Sequence, residues 1–141
     1  MFEETVNRPS RWRTFWPKVD DLDGAKEAIR LSSWIVFAMA VFELVLGGVM
    51  TIFGSPLAGA TRVGNAVVWW GIGEGIRRRW RSAAILALAI QGIWIASLVW
   101  EVRLPTLPSL VLLVGVINAV RGIYAFRRLT IAAPPPKAQV V

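Results

Sequence analysis

The stretch LSSWIVFAMAVFELVLGGVMTIF, residues 31–53, decides the fold. It runs for 23 residues with a single charged side chain, Glu43. At 1.5 Å per residue such a helix covers about 35 Å, enough to cross the roughly 30 Å hydrocarbon layer of a bilayer. Three further apolar blocks follow, at about 57–76, 82–100 and 106–126, each too long for a strand. Phe53-Gly54-Ser55-Pro56, Arg77-Arg78-Arg79-Trp80-Arg81 and Glu101-Val102-Arg103-Leu104-Pro105 separate them, and connections this short join antiparallel neighbours. The expected fold is therefore all-α: a polytopic membrane protein with four transmembrane helices in a bundle.

The rest of the chain fits that frame. Of 141 residues, 55% are hydrophobic and 18% charged, and the mean hydropathy is +0.54. The first 30 residues form a polar N-terminal arm, residues 31–129 the membrane domain, and residues 130–141 a tail whose Pro134-Pro135-Pro136 cannot continue a helix. No cleaved secretory signal is expected, because the first apolar block starts only after thirty residues.

Orientation follows from the Lys and Arg residues, which favour the cytoplasmic side. The arm has six, Arg8, Arg11, Arg13, Lys18, Lys26 and Arg30; the middle connection has four, Arg77, Arg78, Arg79 and Arg81; the C-terminal end has Arg127, Arg128 and Lys137. The other two connections hold only Arg62 and Arg103. Thirteen against two puts both termini in the cytoplasm of a bacterial cell, whose inner membrane is the expected location. The thirteen Arg to three Lys hint at a GC-rich genome. The formal charge of +7 is read as orientation and contact with anionic lipid headgroups, not as a nucleic-acid footprint.

Residues that are missing exclude much chemistry. Without His or Cys there is no ordinary zinc site, no His- or Cys-ligated haem, no iron–sulfur cluster, no Cys–His or Ser–His pair and no disulfide. Asp20, Asp21 and Asp23 lie together before the first apolar block, which excludes a paired intramembrane aspartate protease. They do not make a calcium loop either, since no Glu closes one at the required spacing; they are expected to cap a helix starting near Ala25. No cofactor, no metal and no enzymatic activity are expected.

The informative residues are polar ones within apolar helices, where a charge costs about 2.5–3.5 kcal/mol even on the lenient insertion scale. Glu43, Asn65, Gln91 and Asn118 each fall near the middle of one block, and facing inward they would form one midplane cluster around Glu43. In one reading Glu43 is protonated and hydrogen-bonds Gln91 or Asn118; in another it exchanges protons as a carrier; in a third it pairs with Arg121. Glu74 and Arg121 are candidates for an interhelical ion pair, with Arg78 the same-helix competitor for Glu74. Gly71 and Gly75 make a small-xxx-small helix-packing pair. In the arm, Arg11, Trp12, Arg13, Phe15 and Trp16 interleave cations and aromatics as an interfacial or partner-binding segment does. Trp34, Trp80 and Trp100 suit the aromatic belts, whereas Trp69, Trp70 and Trp94 lie deeper.

The chain also reads as two tandem helical hairpins. Glu74-Gly75-Ile76 and Arg121-Gly122-Ile123 recur at an offset of 47 residues, and Glu43 falls opposite Gln91 at 48. Duplication and chance are both open on so short a match.

A carboxylate in the first of four helices resembles the small multidrug resistance transporters, and implies a small dimeric proton-coupled transporter that works through Glu43. The resemblance covers that residue and the general plan. It departs from the family in its thirty-residue leading segment and in having its glycine-rich stretch in the second helix. The absence of any catalytic constellation, with the conspicuous arm and tail, favours instead a non-enzymatic accessory or assembly subunit bound to a larger membrane complex or to itself.

Overall fold

Helix α1, Leu22–Phe53, starts where a carboxylate can close its first turn. Asp21 stands at the N-cap in extended conformation, and its Oδ1 accepts from the Gly24 N–H at 2.6 Å. The capping role expected of the aspartates holds, but helix begins at Leu22, three residues before Ala25. The computed structural model describes residues 16–100 and 106–132. Arg11, Trp12, Arg13 and Phe15, and most of the tail, lie outside the described residues.

Three more helices follow: α2, Pro56–Arg77; α3, Arg81–Trp100; and α4, Leu107–Ala132. Ser55 caps α2, and Pro56 sits at its first position, where a missing N–H costs nothing. The last helix runs past Leu129, where the tail was expected to begin, and ends at Ala132. Residues 129–132 include neither proline nor glycine, so nothing within them stops the helix.

Each helix packs chiefly on two others, α1 on α2 and α4, and α3 on α4 and α2, so the four form a closed ring. Neighbours are antiparallel. Near one end of the ring Gly122 lies against Ala25, Ala28 and Ile29, while further along Gly115 lies beneath Ile35. The core is built from small and branched side chains, including Val36, Ile72, Ile76, Ala84, Ala87, Leu112, Val116, Ala119 and Ile123. Small residues let helices approach closely where no aqueous hydrophobic effect drives them together.

Outside that core much of the surface is apolar. Val45, Ile52, Phe53, Val67, Ile85, Leu86 and Ile93 are all exposed, beyond anything an aqueous surface of this size carries. Helices α1, α3 and α4 are long and apolar enough to cross a membrane, and in α1 and α3 only 22% of the most apolar window is buried inside the protein. Helix α2 is not among them; it carries Arg62, Asn65, Glu74 and five glycines.

The turn from α2 to α3 satisfies the end of α2 with a Schellman pair, Arg79 N–H to the Ile76 carbonyl and Trp80 N–H to that of Gly75, both 2.9 Å. Arg79 takes the left-handed position, φ 63°, that glycine usually fills. Its guanidinium lies 4.0 Å from the centre of the Phe126 ring, and Arg81 lies 4.9 Å from that of Tyr124. The turn is thereby fastened to α4 by two cation–π contacts.

Two sets of variants test this packing by thermal unfolding in detergent. Glycine at 79 relieves about 1–2 kcal/mol of backbone strain and forfeits about 0.5–1 kcal/mol of cation–π contact. Arg79→Gly is therefore expected to hold or gain stability, and Arg79→Ala to lose it. A Cβ on Gly59 would overlap Thr51 and lie 2.7 Å from the Gly47 carbonyl oxygen, whereas one on Gly71 meets nothing within 4 Å. Gly59→Ala is expected to destabilise by about 1–3 kcal/mol and Gly71→Ala to stabilise by up to about 1 kcal/mol.

Candidate functional site

The site begins with two glycines. Gly47 lies one turn beyond Glu43 on the buried face of α1, and Gly59 lies one turn before Arg62 on α2. A Cβ on Gly47 would fall 3.0 Å from the Gly59 carbonyl oxygen and 3.1 Å from Arg62 Cβ. With neither side chain present, the backbones close together, and the stem of Arg62 rests against Gly47.

That crossing aims the guanidinium at Glu43. Arg62 Nη1 donates to Glu43 Oε1 at 2.8 Å and to Oε2 at 3.1 Å. The Glu43 side chain is 5% exposed and that of Arg62 36%. Glu43 stands ten residues, about 15 Å, from the end of α1, so the carboxylate is deep; Arg62, six residues into α2, reaches it from nearer the helix end. A buried carboxylate paired with a partly exposed arginine leaves the cationic end able to find polar surroundings.

The other expected polar residues use different partners. Gln91, buried in α3, donates from Nε2 to the Ser109 carbonyl of α4 at 2.9 Å. Asn118, buried in α4, accepts from Arg121 Nη1 at 3.0 Å. Asn65 is exposed on the outer face of α2. A single cluster around Glu43 is thus replaced by separate contacts, because Arg62 takes both carboxylate oxygens and a rotation of α2 carries Asn65 outward.

The two hairpins make these contacts at matching places. Glu43 to Arg62 spans 19 residues and Gln91 to Ser109 spans 18. Glu43 and Gln91 are the pair offset by 48, and Arg62 and Ser109 are offset by the same 47 as Gly75 and Gly122. In each hairpin a polar side chain or carbonyl near the start of the second helix holds a polar side chain in the middle of the first.

Glu74 takes the same-helix alternative, with Arg77 Nε at 3.1 Å and Arg78 Nε at 2.8 Å. Arg121, the other candidate partner, lies 4.2 Å above the Trp16 ring. Arginines three and four residues on are already beside Glu74, so an interhelical partner has little to add. Of the expected packing pair, Gly75 is at a close approach, where a Cβ would come 2.5 Å from Ala83 Cβ, but Gly71 faces open space. The close crossings lie instead at Gly47 and Gly59, at Gly73 beneath Phe37, and at Gly115 and Gly122. Trp69 is buried in the core, while Trp70 and Trp94 face outward, Trp70 with its ring 5.0 Å from that of Phe37.

Arg62 is the residue that sequence reasoning passed over, counting it only as a loop charge. Its signal was its uniqueness: a lone arginine in a helical block, one short turn away from a lone glutamate. Ser109 left no comparable trace, because it acts through its backbone carbonyl. Among the described residues no group of three or more His, Cys, Asp or Glu is placed to hold a metal ion.

Breaking one half of a buried ion pair costs about 3–5 kcal/mol, because the other charge is left without a partner. Arg62→Leu, which strands the buried carboxylate, is expected to cost more than Glu43→Gln, which leaves the arginine its outward route. A double-mutant cycle read by unfolding in detergent is expected to show Glu43→Gln/Arg62→Leu recovering most of the Arg62→Leu loss.

No protein-family model, curated protein or solved structure matches the chain.

Proposed function

We propose that the chain is a four-span protein of a bacterial inner membrane, its basic end in the cytoplasm, that acts without catalysis as an accessory or assembly subunit. Its partner is a larger membrane complex or a second copy of itself, engaged through helix faces and the Arg- and Trp-rich N-terminal arm. The carrying observation is that three of the four deep polar side chains are used internally, Glu43 by Arg62, Gln91 by Ser109, and Asn118 by Arg121, while Asn65 faces outward. Polarity spent this way supports a scaffold more than a conduit.

The same pair supports a fourth crossing by α2. Arg62 is one of the residues that make α2 poorly suited to lipid, and Glu43 neutralises it within the hairpin. The matched contacts of the two hairpins support a tandem duplication. Orientation rests on the thirteen-to-two charge asymmetry.

The transporter reading draws on the burial of Glu43 in mid-helix. Against it, a cationic substrate must first displace a guanidinium that touches both carboxylate oxygens.

Native mass spectrometry of the protein extracted from its own membrane, at its natural abundance, tests the proposal. An assembly of fixed stoichiometry with other subunits or copies is the expected result, and loss of that assembly on removing residues 1–19 would assign the contact to the arm. A lone monomer would overturn it. Proton-driven cation flux in liposomes, abolished by Glu43→Gln with folding intact, would establish the transporter instead.

A further inference from the structure

Four arginines gather where α3 begins and α4 ends. Arg81 of α3 and Arg121, Arg127 and Arg128 of α4 line a groove of about 410 Å³, together with Tyr124 and Ile131. Among the described residues no carboxylate lines it. Among the described residues, none of the four arginines forms a salt bridge. Arg81 lies over Tyr124, Arg121 over Trp16 and against Asn118, and all these partners are uncharged.

The groove on the other side of the same end is built differently. It has about 300 Å³ and is also lined by four cations, but three of them, Lys26, Arg30 and Arg77, are each paired with an acid one turn away, Asp23, Glu27 and Glu74, and the fourth, Arg79, lies over Phe126. Among the described residues, one basic groove is thus largely neutralised and the other stays positive. Like charges this close repel, and an anion that meets several of them relieves the repulsion.

Guanidinium groups offer paired N–H donors that match phosphate oxygens, which selects phosphate over a simple point charge. The height of the groove selects its source. Helix α4 has 26 residues, about 39 Å, so it overruns a 30 Å hydrocarbon layer by about six residues. Its last turns therefore carry Arg127 and Arg128 at headgroup level, while Tyr124 and Ile131 offer apolar surface beside them. We infer that this groove binds the headgroup of an anionic membrane lipid, with a two-phosphate glycerolipid of the cardiolipin type preferred. Arg81 of α3 and Arg127 and Arg128 of α4 line the groove from two helices, which allows two phosphates to be held side by side at that level.

This inference rests on the membrane reading above, and its test separates the two. The delipidated full-length protein is titrated in detergent with cardiolipin, phosphatidylglycerol, phosphatidylcholine or inorganic phosphate, with bound lipid read by native mass spectrometry. The same protein is offered to phosphatidylcholine vesicles, with insertion read by flotation. Cardiolipin is expected to bind best, and Arg127→Gln/Arg128→Gln to weaken it by about tenfold or more. Arg30→Gln/Arg77→Gln in the neutralised groove is the control and is expected to change it by less than about twofold. Circular dichroism establishes that both variants keep their helices. Equal losses in the two grooves, no loss in either, or inorganic phosphate displacing cardiolipin at equal concentration would overturn the site while leaving the membrane reading intact. Failure to insert into any vesicle would overturn both.

Discussion

Everything in the first hairpin depends on how closely α1 and α2 can approach at Gly47 and Gly59. An ion pair in an apolar setting is stabilising only when its geometry repays the desolvation of both charges. Here the missing side chains remove the spacing that would otherwise hold Arg62 away from Glu43. Steric permission comes first, and the electrostatics follow from it. Thr51 joins the same crossing, its hydroxyl donating to the Gly47 carbonyl at 2.8 Å, so the local backbone oxygen has a partner even where the helices touch.

The other end of the ring is organised by a different force. There the contacts are cationic and aromatic: Arg79 over Phe126, Arg81 over Tyr124, Arg121 over Trp16. These contacts tolerate water on one side, which suits the boundary between lipid and solution, whereas the Glu43–Arg62 pair suits a place where water is scarce. The protein is held within the first hairpin by an ion pair and at its basic end by arginines lying on rings. Between them the core holds mainly alanine, valine and isoleucine.

Helices were legible because length and apolarity act over twenty residues at a time, and no single neighbour can override them. Boundaries were less so: α1 begins earlier than expected because Asp21 rather than a later residue closes the cap, and α4 persists to Ala132 because residues 129–132 contain no helix breaker. Facing was the weak point. Asn65 and Gly71 have suitable types at suitable depths, yet α2 turns both outward, and that rotation is fixed by Gly59, Gly73 and Gly75, whose contacts are with other helices. Glu43 was legible as the important carboxylate. Its partner was not, since reading a charge as belonging to a loop removes it from consideration as a helix residue.

The unequal apolarity of α1 and α2 also bears on how such a chain enters a bilayer. Helix α1 can partition into lipid by itself; α2, with Arg62 near its start, gains an acceptable environment only beside Glu43. On the four-span reading the two go in as one unit, the loop of Gly54 and Ser55 leading, with the charge pair formed before either residue meets hydrocarbon. The order of synthesis suits this, since α1 leaves the ribosome first and is waiting when Arg62 arrives. On that reading biogenesis is tied to the same contact as the fold, and a hairpin whose halves were made as separate chains would lose the escort that carries its second helix across.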